Sequence, residues 1–303
     1  MSKKTNKHKS KGKRTFAKAS TQAKTLSKSM YNSGLVSGLG TSHSYEASLK
    51  LVANWLRESG RGALHELTPK AAGMYLHQRS KDVGQKMLDK DRQALQSVLR
   101  LTGKFGRNQR LEVIKADKQQ VLGSRNYTAD QIQRIMRCQS ERNAFSTEIA
   151  AAAGLRAHEL LTLLPASERV MDDRPADPAK FRDGIRYTVI GKGGLVREVS
   201  LPKHLAEKLE ACRLDAPVKV VDRSIHYKRF YDIAGGQAWS QSFSKASMTA
   251  LRFSNGAHGL RHTYAQERHR EIQATVGDAQ RAKSVVSQEL GHFRSDITNT
   301  YLR

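Results

Sequence analysis

The chain has 303 residues, enough for about two domains, and 38% of them are hydrophobic, which suffices for ordinary globular cores. Lysine and arginine number 53 against 28 acids, and a formal net charge of +25 repels itself unless a polyanion neutralises it, so a nucleic acid is the expected partner. Two widely separated cysteines, Cys138 and Cys212, without a metal-ligand spacing exclude a disulfide framework or a zinc site and fit a reducing cytoplasm. No apolar run is long enough to span a membrane, and no apolar core follows the charged N-terminus, so neither a membrane anchor nor a secretory signal is expected.

In chain order, residues 1–30 read as a basic, disordered tail. Positions 1–28 hold ten lysines and arginines and no acid. The tail is suited to touching phosphates and too short to fold alone. Without those ten cations the chain keeps 43 basic residues against 28 acids, or +15. Residues 31–125 read as a helical domain followed by a linker. Tyr45, Leu49, Val52 and Leu56 recur on one helical face, and Gly60 and Gly62 end that helix. Thr68-Pro69 is a cap followed by proline at the first helical position. A further helix carries Met87, Leu88, Leu95, Val98 and Leu99, and Gly103 stops it.

Residues 126–303 read as a second domain, opened by the capping-box pattern Thr128-x-x-Gln131. Helices are predicted near 128–138 and 141–153. A β-hairpin follows, formed by Tyr187, Val189, Leu195, Val199 and Leu201 around Gly193-Gly194. Helical patterns resume near 203–212, 224–233, 241–250 and 259–273, with a last helix over about 283–290. The polar stretch 272–286 reads as a mobile loop. The expected fold class is mostly α with a small β-sheet, an α+β arrangement.

The residues suited to chemistry fall in four segments. The first is Gly154-Leu155-Arg156-Ala157-His158-Glu159-Leu160. The second is Gly191-Lys192-Gly193-Gly194, followed by Arg197 and Leu201-Pro202. The third is His258-Gly259-Leu260-Arg261-His262. The fourth is Leu290-Gly291-His292, with Tyr301 nine residues beyond the histidine. Each alone is weak, since an arginine at a helix start, a loop lysine or a late tyrosine is usually structural. Together, in this order and with this last spacing, they resemble the tyrosine recombinase (phage integrase) family. The resemblance covers 128–303 by motif and 41–104 more loosely, as the helical core-binding domain that precedes the catalytic domain in that family. Within the family the chain looks most like integrases of prophages and other mobile elements.

The resemblance implies site-specific cutting and rejoining of double-stranded DNA through a 3′-phosphotyrosine. Tyr301 would attack phosphorus as the nucleophile, and Arg156 and Arg261 would grip the non-bridging oxygens with charged, bidentate donors. A free tyrosine titrates near pH 10, so it needs help to lose its proton. His258 would be the acid/base partner, Lys192 would protonate the departing 5′-oxygen, and His292 would bind the phosphate or orient Tyr301. His262 would give structural support. Glu159, three residues after Arg156, would orient that arginine or simply be a surface acid. Tyr264 and Tyr231 lack the spacing of the nucleophile. The bond energy is stored in the phosphotyrosine, so neither ATP nor a metal is implied as cofactor. A homo-tetramer acting on two DNA sites is implied as well, with room for an accessory DNA-bending protein.

Members of the family usually continue past the nucleophile into a helix that docks on a neighbouring subunit. This sequence ends two residues after Tyr301, which places subunit coupling on other surfaces or on chain beyond Arg303. Two further readings share these residues: a type IB topoisomerase, which would relax supercoils as a monomer, and a non-catalytic DNA-binding relative. A persistent covalent adduct separates the enzymes from the second, and dependence on a DNA site separates the recombinase from the first.

Overall fold

The computed structural model describes residues 16–119, 123–174 and 176–303. The chain divides into two compact units, Met1–Val121 and Leu122–Arg303. Among the described residues no helix is long and apolar enough to cross a membrane.

The first unit is helical. Helix α1 spans Ala19–Asn32, α2 Leu39–Glu58, α3 Pro69–Arg79 and α4 Gln85–Leu101. The Thr68 side chain accepts from the Ala71 amide at 3.2 Å, with Pro69 in the first turn of α3, as the sequence predicts. Leu49, Val52 and Leu56 of α2 and Leu88, Leu95, Val98 and Leu99 of α4 are buried together, whereas Met87 is exposed. The basic tail needs correction. Positions 1–15 lie outside the described residues, but residues 19–30 belong to α1, whose Ala19, Ala23, Ser27 and Met30 are buried one above another. That face is built of small residues, so the lysines around it hid the helical period. The Ser42 hydroxyl of α2 donates to the Ser27 carbonyl at 3.2 Å, joining the two helices.

The second unit begins with α5 (Ala129–Arg137), closed by the predicted reciprocal box of Thr128 and Gln131. Helix α6 (Glu141–Ala153) ends at Gly154, which adopts a left-handed φ of 59°. A three-stranded antiparallel sheet follows, in the order β1 (Leu164–Pro165), β2 (Ile185–Ile190), β3 (Val196–Leu201). Its β2–β3 hairpin turns through Lys192–Gly194, where the glycine pair predicted it. Helix α7 (Lys203–Glu210) leads to a second hairpin of β4 (Arg213–Asp222) and β5 (Ile225–Tyr231).

This second hairpin corrects the helix predicted near 224–233. The segment Ile225-His226-Tyr227-Lys228-Arg229-Phe230-Tyr231 is rich in aromatic residues and lies in register with Val218–Asp222. The connecting Arg223 and Ser224 both have positive φ, 49° and 64°, as a two-residue turn of type I′ requires. An Arg-Ser dipeptide lacks the Asn-Gly signature of such turns, so nothing in the local pattern marked it.

The chain closes with α8 (Gly236–Leu251), α9 (His258–Val276), α10 (Ala279–Glu289) and the short α11 (Ser295–Thr298). The loop expected over 272–286 is instead the end of α9, a left-handed Gly277, and most of α10, whose first amides are capped by the Asp278 carboxylate. The unit holds two hydrophobic clusters. One gathers Tyr127, Ile149, Val189, Val199, Trp239, Phe243 and Leu260, and the other Tyr264, Ala265, Ile272, Val285, Val286, Leu290 and Tyr301. Helix α9 supplies Leu260 to the first cluster and Tyr264 to the second, so its opening turn lies where they meet.

Candidate active site

Arg156 lies just past the left-handed Gly154, at the start of a 3-10 turn over Glu159–Thr162. The Glu159 carboxylate accepts from the Arg156 amide at 2.8 Å and from its Nη1 at 2.7 Å. That leaves Nη2 facing His292 Nε2 at 3.0 Å. Glu159 is fully buried, so of the two readings the sequence allowed it is the orienting acid and not the surface one. Burial alone would raise its carboxyl, but the guanidinium groups of Arg197, Arg261 and Arg156 hold it well below the usual carboxylate range.

Arg261, on the first turn of α9, is also fully buried. Its Nη1 donates to the Gly154 carbonyl at 2.6 Å and its Nη2 to the Leu290 carbonyl, with His292 Nε2 3.3 Å from Nη2. Gly154 thus serves twice, ending α6 and offering its carbonyl. A β-carbon there would come within 2.6 Å of the Tyr264 ring. Burial, then the nearby Arg156, pulls Arg261 down to about 9 against the pull of Glu159, so it stays charged at neutral pH.

His292 follows the left-handed Gly291 at the end of α10. Its Nε2 meets the donors of both arginines and lies 3.5 Å from the Tyr301 hydroxyl. Surrounded by donors, Nε2 must carry the lone pair and Nδ1 the proton. The electrostatics agree, since burial and then Arg261, Arg156 and Arg197 push His292 down to about 3. Burial and Arg125 push His262 down to about 4. His258 is open to solvent on one side, but partial burial and Arg261, His262, Arg125 and Arg156 move it the same way. The pocket therefore contains neutral histidines and cationic arginines.

Tyr301 is nearly buried, and its ring lies 5.5 Å from that of His258, 4.8 Å from that of His262 and 5.1 Å from that of His292. The Arg261 guanidinium carbon is 5.6 Å from its centre. The structure thus brings together five of the six predicted site residues: Arg156, His258, Arg261, His292 and Tyr301. The sixth, Lys192, stands apart on the β2–β3 turn, where it lines a shallow groove shared with Gly291, His292 and Phe293. The rejected tyrosines are engaged elsewhere, Tyr264 donating to Glu289 at 2.7 Å and Tyr231 to Glu210 at 2.7 Å.

Two contributors went unassigned in the sequence. Arg197, noted only as part of a motif, is buried in β3, donating to Glu159 at 2.7 Å and to the Glu289 carbonyl at 2.6 Å. Its stem packs on Gly291, where a β-carbon would come within 2.6 Å. It therefore joins the Arg156 turn to the His292 turn. A signal was present: Arg197 takes an inward position in the alternation with Val199 and Leu201. Gln266, on α9, donates to the Tyr301 carbonyl at 3.2 Å and to that of Arg303 at 2.7 Å; nothing in the sequence marks it.

No protein-family model matches the sequence, nor does any curated protein. Solved structures do match. The XerH site-specific recombinase bound to difH substrate has a TM-score of 0.56 and 18% identity over 94% of this chain and 81% of that one. A lambda integrase dimer bound to a COC′ core site scores 0.58 at 18% identity, covering 93% and 94%. The Tn1549 transposon integrase in complex with transposon right end DNA scores 0.54 at 14% identity, covering 93% and 94%. The chain has the fold of these recombinases and integrases. It is the mostly helical fold with small antiparallel sheets that the resemblance to the tyrosine recombinases implied.

Proposed function

We propose that the protein is a site-specific DNA recombinase of the tyrosine class, an integrase that cuts and rejoins double-stranded DNA. The observation that carries the reading is the convergence of the Tyr301 hydroxyl and the guanidinium groups of Arg156 and Arg261 on His292 Nε2, at 3.5, 3.0 and 3.3 Å. A nucleophile and two preorganised cations are then held around one imidazole nitrogen, and a phosphate seated beside it would meet all of them. The likeness in fold to DNA-bound recombinases supports the same reading.

The chemistry follows from the groups present. Arg156 and Arg261 hold the non-bridging oxygens and offset the charge that grows on them. Tyr301 attacks phosphorus, its proton passing to the neutral His258. The bond from phosphorus to the 5′-oxygen breaks, and Lys192, on the β2–β3 turn beside the groove, protonates that oxygen. The free 5′-hydroxyl of a second strand then reverses the step, releasing Tyr301. His292, with its lone pair on Nε2, takes a hydrogen bond from Tyr301 or from a protonated phosphate oxygen. No step calls for a metal or a nucleotide.

In this reading the first unit, from α1 onward, forms the core-binding domain, and the second, Leu122–Arg303, the catalytic domain. Four copies act on two DNA sites, an arrangement in keeping with a lambda integrase tetramer bound to a Holliday junction. An accessory DNA-bending protein would help juxtapose the sites. The place of action is the bacterial cytoplasm, on the nucleoid.

The test is a covalent-adduct assay on supercoiled plasmid carrying the DNA that flanks the gene, without metal or ATP. Wild type is expected to give a DNA-linked band on denaturing gels, while Tyr301→Phe gives none and still binds DNA. Equal adduct from Tyr301→Phe would remove Tyr301 from the role. No adduct from wild type on nicked suicide substrates would favour the binding-only relative.

A further inference from the structure

The β4–β5 hairpin lies outside the site just described. Its strands pair only with each other among the described residues, and alternation sorts their side chains onto two faces. One face carries Val220, Asp222, Tyr227 and Arg229, all partly or fully buried. Asp222 accepts from the Gln237 amide at 2.7 Å, Arg229 lies 3.7 Å from Asp232, and the Tyr227 ring is 6.3 Å from that of His158. This face anchors the hairpin beside the turn that carries Arg156.

The other face carries Lys219, Val221, His226 and Lys228, and all four are exposed. Lys219 stands directly opposite Lys228 in the register. Like charges so placed destabilise a sheet. Among the described residues neither lysine has an ion-pair partner, and no carboxylate shares the face within Val218–Asp222 and Ile225–Arg229. At the tip, Arg223 stands with φ of 49° where glycine or asparagine costs less; its Nε pairs with Asp222 at 3.2 Å, and its side chain is still more than half exposed. The hairpin thus concentrates cations where sheet stability and turn geometry would both prefer otherwise.

We propose that this face, with Lys219 and Lys228 at its centre, is a phosphate-binding surface that seats the DNA backbone beside the cleavage site. The inference rests on the DNA reading of the Tyr301 site. Charge selects the occupant. A duplex presents one negative charge for about every 1.7 Å of its axis, whereas a second copy of this chain would bring another +25 against a basic face.

The test compares full-length wild type with the Lys219→Gln/Lys228→Gln double variant binding a labelled mixed-sequence duplex over a salt series. Each lost phosphate contact lowers the slope of log K against log salt by about 0.9, so the double variant should be shallower by about 1.8. Thermal melting should match or slightly exceed wild type, because both side chains are exposed and the opposed like charges are removed. An unchanged slope overturns the inference, and so does a change in self-association without a change in slope, which would assign the face to a second copy. Adduct formation on nicked suicide substrates carrying the DNA that flanks the gene separates the two readings. If wild type forms the Tyr301 adduct while the slope stays fixed, the hairpin inference alone fails. If the slope shifts and wild type forms no adduct, the cleavage reading fails and the surface stands.

Discussion

The second unit contains two fully buried glutamates surrounded by arginines, Glu159 and Glu289, and they do different things. Glu289 accepts from Arg268 Nη2, the Tyr264 hydroxyl and the Phe181 amide, each at 2.7 Å. Arg268 Nε also donates to Glu289, at 3.1 Å, and its other donors go to Glu271 at 2.8 Å and the Ala179 carbonyl at 3.3 Å. Every charge in that cluster is absorbed by the protein. Glu159 is paired as tightly, but its partner Arg156 keeps one edge turned to His292 and 18% of its side chain exposed. A buried carboxylate beside an arginine thus signals function only where the arginine has donors left over. Arg197 connects the two regions, touching the Glu159 carboxylate and the Glu289 carbonyl.

Substitutions on the two sides of this comparison should separate stability from chemistry. The largest effect is expected at Arg268. Arg268→Met leaves Glu289 buried without its cation and should cost about 3–5 kcal/mol of stability, with adduct formation per folded molecule little changed. Chemical denaturation together with single-turnover cleavage checks both halves, and a loss of cleavage matching the loss at Arg156 would erase the contrast. Next, Arg156→Ala should lower cleavage at least about a hundredfold, the scale for losing one oxyanion donor, with little change in melting because Glu159 retains Arg197. Arg261→Ala should match it on cleavage and lose stability as well, since that arginine is fully buried. Near-normal cleavage by either variant would reject the phosphate clamp.

Arg197→Met should fall between the two sides. A hydrogen bond to a charged group contributes about 1.5–3 kcal/mol, so about that much stability should be lost. Cleavage should drop while the Kd for DNA stays near wild type. A proportional rise in Kd would instead mark Arg197 as a general fold residue.

A last contrast concerns pH. The folded values of His262 and His292 are depressed, to about 4 and about 3. The unfolded chain therefore binds more protons between roughly pH 6.5 and those values. The stability these histidines contribute is present above about pH 6.5 and is lost as the pH falls through their folded values. For the buried His262 the slope is at most about 1.4 kcal/mol per pH unit. Melting temperatures between neutral pH and pH 4 check this, and His262→Gln should flatten the profile. Saturating DNA should protect against the loss only slightly if phosphate charge reaches His292 and not His262.

Much of this protein was determined by sequence alone, where the determinants are local. Thr68-Pro69, the Thr128–Gln131 box and Gly193-Gly194 act within a few residues of themselves, and each forms the cap or turn it predicts. The six candidate site residues were read from motif order and spacing; five of them meet in the structure, and Lys192 stands apart on the β2–β3 turn. Elements whose signal is faint were not legible. In α1 the buried face is small and surrounded by lysines, and in the β4–β5 hairpin the turn residues carry no turn signature.

Tertiary structure decided what depends on groups distant in the chain. The role of Glu159 was open in sequence because burial comes from β3 and α9, which supply Arg197 and Arg261. The neutral state of His292 follows from burial and from arginines 31, 95 and 136 positions away, brought within reach only by folding. Tyr264 and Tyr301 are alike as residues, and what distinguishes them is which neighbour each hydroxyl meets: a carboxylate that holds the proton of the first, a lone pair among cations beside the second.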